Sequence, residues 1–246
     1  MCSVIILFRP THSWPLIVAA NRDEMADRPW DPPARHWPDR PYVVAGLDRL
    51  AGGSWMGVND HGVVAAILNR EGTLGPQAGK RSRGELVLEA LDHNDALLAA
   101  EAMADLDGRA YRGFNMLVAD NTVAYWVRAD GGAKIQIREI PAGLHMLTAR
   151  DLDDPACPRI VNNLPRFKAA LPPDPETGDW DGWQDLLTRN GDKDDGGMCF
   201  STPSGFGTVS SCVLALPSVE RIGTTPLWLF SADPRHKAPY LPVPLA

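Results

Sequence analysis

Cys2 and the tetrad Asn21-Arg22-Asp23-Glu24 carry the clearest chemistry in the chain. A second-position cysteine with small Ser3 behind it permits removal of Met1. Cys2 would then carry a thiol and a free α-amine on one residue. An α-amine titrates at about 7.7–8.0, so it can accept the thiol proton near neutral pH. Nucleophile and base would thus share one residue. A neighbouring guanidinium such as Arg22 lowers a thiol pKa, and a carboxylate, from Asp23 or Glu24, orients an amine. The plainer reading is that Cys2 is a small apolar residue opening a buried strand.

The elements that position these groups follow from the pattern. Residues 3–8 and 16–20 are short, β-branched apolar runs, and Arg9-Pro10-Thr11-His12 turns between them. They read as an antiparallel pair. Pairing returns the tetrad to the start of the chain.

Residues 25–54 are rich in Pro, Arg, Asp and Trp and read as a long loop with one strand at 42–45. Trp30 and Trp37 either line a pocket mouth or pin that loop to the surface. Two strands then meet at an Asn59-Asp60-His61-Gly62 turn. Asn69 ends the second, where its amide serves either as an oxyanion donor or as a turn former. Ser82-Arg83-Gly84-Glu85 reads as a capping box. One helix follows it, and a second follows Asn94 or Asp95. A hairpin turns at Asp120-Asn121, and strands follow at 134–140 and 143–148. Helices are expected at 159–171 and near Trp183, and strands at 198–202, 208–216 and 227–231.

The order is strands, two helices, strands, two helices, strands. This predicts an α+β fold: a four-layer αββα sandwich of two mostly antiparallel sheets, with residues 1–246 in one domain.

Net charge is −7 and no basic block occurs, which argues against nucleic-acid partners. No apolar run approaches the length of a membrane span, so no stable membrane insertion is expected. Cys2, Cys157, Cys199 and Cys212 show no metal-ligand spacing, and a reduced, cytoplasmic protein is the default. Asp192, Asp194 and Asp195 lack the Gly and terminal Glu of a calcium loop and read as a solvated loop. No metal site and no resident cofactor are expected.

Met1-Cys2-Ser3, the literal Asn21-Arg22-Asp23-Glu24, Gly53-Ser54-Trp55-Met56-Gly57-Val58-Asn59, Leu68-Asn69-Arg70, Tyr111-Arg112-Gly113-Phe114-Asn115 and Phe206-Gly207-Thr208-Val209-Ser210-Ser211 together resemble the NRDE, or transport-and-Golgi-organisation-2, family. That family resembles N-terminal-nucleophile hydrolases of the choloylglycine and penicillin V acylase type. The resemblance implies the four-layer sandwich and a nucleophilic Cys2. The acylases end their second strand in Arg-Asn-x-Asp. Here Arg22 and Asp23 match by type, whereas Asn21 and Glu24 match by ungapped position. Gly62 through Asn69 is similar to the acylase segment whose Asn helps form the oxyanion hole. Two positions depart from the pattern: Ala149 stands where an Asn is usual, followed by Arg150, and Val209 stands where many members carry Arg.

The expected catalytic set is Cys2, Arg22, Asp23 and Asn69. The expected substrate-binding set is Asn21, Glu24, Trp30, Trp37, Asn115 and Arg150. The implied activity is hydrolysis of a non-peptide amide or ester of a small amphipathic acyl compound. The alternative is a non-catalytic haem or acyl-lipid carrier using the same pocket, for which Cys157-Pro158 resembles a haem-associated Cys-Pro pair.

Overall fold

The computed structural model describes residues 2–192 and 195–245. Met1 and Asp194 lie outside them, and so do the expected removal of Met1 and part of the aspartate loop. The chain divides into two compact units. One comprises the residues up to Arg28 with Ala142–Pro244, the other Pro29–Pro141 with the C-terminal end.

In the first unit the two opening apolar runs form β1 (Ser3–Phe8) and β2 (Leu16–Met25), paired antiparallel with Ser3 opposite Asn21. Both faces of these strands are buried, which is why they read as nearly continuous apolar runs.

The second unit holds β3 (Trp30–Ala34), β4 (Val43–Asp48), β5 (Met56–Asn59), β6 (Val64–Asn69), α1 (Gly84–Leu91), α2 (Ala96–Asp105), β7 (Phe114–Ala119), β8 (Ala124–Ala129) and β9 (Ile135–Glu139). The strands form one seven-stranded sheet in chain order, antiparallel at every junction. Leu86, Leu91, Ala99 and Met103 of the helices pack with Ala65, Met116 and Val127 of the sheet.

The chain returns to the first unit with β10 (Gly143–Leu147), α3 (Pro158–Ala169), α4 (Asp181–Leu187), β11 (Phe206–Leu216), β12 (Leu227–Ser231) and β13 (Leu241–Pro242). The six-stranded sheet runs β10-β1-β2-β11-β12-β13, also antiparallel throughout. Ile5, Ile17, Ala19 and Val213 share a core with Ile160, Leu164, Phe167 and Trp183 of α3 and α4. The Phe167 and Trp183 rings meet edge to face at 5.2 Å. The two antiparallel sheets and four helices place the fold in the expected α+β class.

Three local expectations need correction. The segment after Met25 is not one long loop, because Trp30–Ala34 is a strand. It tolerates Pro32 and Pro33 because it is the sheet edge and its register shifts between Asp31 and Ala34. The capping box does not form. Ser82 Oγ accepts from the Gly84 amide at 3.3 Å, while the Glu85 carboxylate accepts from Tyr111 Oη at 2.7 Å and pairs with Arg81. Residues 198–202 make isolated bridges, Asn190 with Cys199 and Ser201 with Gly207, rather than a strand.

Candidate functional site

Cys2 precedes the first residue of β1, a central strand of its sheet, and is half-buried; Cys157, Cys199 and Cys212 are buried. Its Sγ is held by the backbone of Asp23. The Asp23 amide donates to Sγ at 3.3 Å, and Sγ donates to the Asp23 carbonyl at 3.6 Å. The register that places Ser3 opposite Asn21 produces this meeting.

The Asp23 side chain is fully buried and accepts on both oxygens. Thr208 Oγ donates to Oδ1 at 2.8 Å, and Arg159 Nη1 donates to Oδ2 at 2.8 Å. The same Nη1 lies 3.0 Å from Ser3 Oγ. A bulge sets this up. Between Thr208 and Ser210 the β11 register against β2 shifts, so Thr208 rather than Val209 stands opposite Asp23. Because side chains alternate along a strand, that one-residue shift turns Thr208 to the Asp23 face.

Arg159, in the first turn of α3, is 2% exposed, and its guanidinium also lies 5.2 Å from the Phe200 ring centre. A buried guanidinium is tolerated when a carboxylate pairs with it. Sequence reasoning placed Arg159 only as a helix residue and missed Thr208 and Ser3 as partners. Arg159 and Asp23 are 136 positions apart, and no local pattern links them.

The other tetrad residues divide. Asn21 turns its amide away from the thiol, donating to the Leu187 carbonyl at 2.8 Å and the Met198 carbonyl at 2.9 Å. It ties the end of α4 and the 198 segment to β2. Arg22 is buried with its guanidinium 4.0 Å from the Glu24 carboxylate, and Arg28 reaches the same carboxylate at 3.6 Å. With residue 1 attached, burial pushes the Cys2 thiol pKa up and the Asp23 carboxylate adds to this; Arg22 opposes both only weakly. Arg22 thus acts in the expected direction, but burial and the Asp23 charge outweigh it and the net shift is upward.

Thr148, Ala149 and Arg150 follow β10, which pairs with β1 as far as Val4 opposite Leu147. Ala149 is buried, and the Arg150 amide donates to Thr148 Oγ at 3.3 Å. Thr148 Oγ also lies 3.5 Å from Cys157 Sγ. Cys157 is the fully buried N-cap of α3, with Pro158 in the first helical turn. The Cys157-Pro158 pair therefore begins a helix, with the Cys157 side chain buried.

In the second unit, Asn69 is half-buried at the end of β6, opposite Phe114. Asn115 is buried beside it on β7; its Oδ1 accepts from Arg70 Nη1 at 2.8 Å and Trp126 Nε1 at 3.1 Å. Trp30 meets Trp55 edge to face at 5.7 Å, and Trp37 Nε1 donates to the Gly52 carbonyl at 3.2 Å. The Trp37 contact anchors its segment. Among the described residues, no three His, Cys, Asp or Glu side chains gather to hold a metal ion, and no helix is long and apolar enough to cross a membrane.

Known proteins share both the fold and part of the sequence. The penicillin V acylase of Agrobacterium tumefaciens superposes with a TM-score of 0.58 at 13% identity, covering 94% of this chain and 83% of the acylase. The N-acylethanolamine-hydrolysing acid amidase orthologue of Caenorhabditis elegans gives 0.58 at 12%, covering 86% and 92%. A variant of the conjugated bile acid hydrolase of Clostridium perfringens gives 0.56 at 12%, covering 98% and 92%. At that identity the likeness is one of fold. In sequence, the chain is 35% identical over 133 residues to the human Transport and Golgi organization protein 2 homolog, covering 50% of this chain and 47% of the relative. The mouse homolog is 34% identical over 129 residues, covering 49% and 45%. The match thus spans about half the length of these curated relatives. The family model described as Transport and Golgi organisation 2 matches residues 1–190, well over half of the chain, and the chain belongs to that family.

Proposed function

We propose that the protein is an N-terminal-cysteine hydrolase, activated by removal of Met1, that cleaves a non-peptide amide or ester of an amphipathic acyl compound. One observation carries this reading. The half-buried Cys2 thiol is gripped by the backbone of Asp23, whose carboxylate is buried between Arg159 and Thr208. A cysteine that only filled space would need no charged pair behind it, and burying such a pair is costly. The fold shared with proteins named as acylase, amidase and bile acid hydrolase is consistent with acyl-amide chemistry.

Cleavage at the site passes through an acyl-enzyme on Cys2. The α-amine of Cys2 takes the thiol proton, and sulfur attacks the acyl carbon. The C–N bond breaks, the proton passes to the departing amine, and a thioester remains on Cys2. Water then attacks the thioester, giving the free acid and restoring the thiol.

The test combines intact-mass measurement with turnover of a panel of long-chain acyl-amides. Expected are a chain lacking Met1, an acyl adduct on Cys2 released by hydroxylamine, and loss of both adduct and turnover in Cys2→Ala. A chain that keeps Met1 in full, or equal turnover in Cys2→Ala, refutes the reading. Binding of haem or acyl compounds without any adduct is the result the carrier alternative requires.

A further inference from the structure

The β11 segment that lies against Asp23 carries no cation, since residues 206–211 are all uncharged. Val209 is the residue at the β11 bulge, beside the register place of Asp23. A cation reaches Asp23 instead from α3. One nitrogen of Arg159 serves two strands at once, donating to Asp23 Oδ2 on β2 at 2.8 Å and Ser3 Oγ on β1 at 3.0 Å. Those residues neighbour the two partners of the thiol contact, because Ser3 follows Cys2 and Asp23 supplies the backbone that holds Sγ.

The backbone of Arg159 is itself fixed. Gly196, with φ +77°, packs so closely that a Cβ there would stand 2.7 Å from the Arg159 Cα. Asn163 bridges the carbonyls of Arg159 and Gly196 at 2.7 and 2.8 Å.

We propose that Arg159 is the positioning residue of the Cys2 site: it locks the Asp23 carboxylate and the first residue of β1, and so sets where the thiol sits and what charge it faces. This rests on Cys2 being the nucleophile, but its test reads the thiol directly and needs no turnover. The titratable and charged groups around the pair are Cys2, which feels the charges of Asp23 and Arg22, and Cys199, which feels those of Asp23, Asp233 and Arg235, while Thr208 on β11 hydrogen-bonds the Asp23 carboxylate.

Wild type, Arg159→Lys, Arg159→Met and the double variant Asp23→Asn/Arg159→Met are prepared with the N-terminal state set by intact mass. Alkylation of Cys2 by iodoacetamide is then followed peptide by peptide from pH 6 to 10. Loss of the guanidinium removes the cation held against Asp23 Oδ2 and so makes the field at the thiol more negative. Arg159→Met should therefore alkylate Cys2 about tenfold more slowly at pH 7.5, as for a pKa one unit higher. Arg159→Lys, which keeps the charge, should stay within about threefold of wild type, well inside that tenfold step. The double variant removes both charges and is expected to fold, since replacing a whole buried pair is tolerated. Its alkylation midpoint should fall below that of wild type, because the nearer, negative charge is gone. A wild-type pH profile in folded Arg159→Met or in the double variant overturns the proposal, as does a Lys variant shifted as far as Met.

Discussion

Replacing Asn21 with alanine tests whether the first residue of the tetrad holds the fold together or binds substrate. The Asn21 amide is buried, and both its protons are used, at 2.8 Å on the Leu187 carbonyl and 2.9 Å on the Met198 carbonyl. Leu187 and Met198 are themselves buried. Asn21→Ala therefore strands the Leu187 carbonyl and leaves the Met198 carbonyl with only a long contact from Thr208 Oγ1 at 3.4 Å. The stranded carbonyl costs about 1–3 kcal/mol and the second lost hydrogen bond about 1 kcal/mol, so the expected loss is roughly 2–4 kcal/mol. That is a large part of the roughly 5–15 kcal/mol that holds a typical domain folded. With a urea slope of about 2–3 kcal/mol/M, the unfolding midpoint should fall by about 1 M. The assay is urea unfolding of wild type and Asn21→Ala, with Cys2 alkylation measured on the folded fraction. A substrate-binding Asn21 predicts the opposite: unchanged unfolding and weaker substrate binding. A stability loss below about 1 kcal/mol, the net worth of one ordinary hydrogen bond, would refute the tether.

Gly53→Ala should lower the melting temperature of the protein by several degrees, since its Cβ would stand 2.4 Å from the Gly84 carbonyl carbon at the start of α1; an unchanged melting curve shows that the two backbones can separate at no cost. Burial pushes the Cys212 thiol up from 9.0 to about 12. A thiol raised in the folded state stabilises below its unfolded pKa and loses that contribution as pH rises toward the folded one. Stability measured by urea unfolding should therefore drop between pH 9 and pH 10.5 more steeply in wild type than in Cys212→Ala, and parallel curves would count against a buried, neutral thiol.

The sequence was informative wherever local pattern and packing agree. The β1–β2 pair follows from two apolar runs about a Pro-containing turn, and β12 falls at residues 227–231 as its apolar run requires. Asp95 caps α2 through its side chain, accepting from the Leu98 amide at 2.8 Å. Glu85 failed as a capping residue because Tyr111 and Arg81 take its oxygens. The pattern Trp30-Asp31-Pro32-Pro33 misled because a proline is excluded from a central strand but not from an edge. Arg159 was invisible as a site residue because helix periodicity gives an arginine no reason to point inward. Only the tertiary placement of Asp23 supplies one.

Asp23 also shows why a motif can identify a site without stating how it works. The residue acts through two separate sets of atoms. Its backbone amide and carbonyl hold the Cys2 sulfur, while its carboxylate is bound by Arg159 from α3 and Thr208 from β11. The first contact depends only on register, and any residue at position 23 except proline could make it. The second requires a carboxylate, a bulge that turns Thr208 inward, and a buried guanidinium. Register alone would thus keep the thiol near β2, but not in a fixed electrostatic setting. With residue 1 attached, burial and the Asp23 charge hold the thiol in its protonated form. Release of a free α-amine at Cys2 would add a base and a cation next to the sulfur. The pair behind Asp23 and the exposure of that amine thus act on the same quantity, the fraction of Cys2 present as thiolate, from opposite sides of the residue.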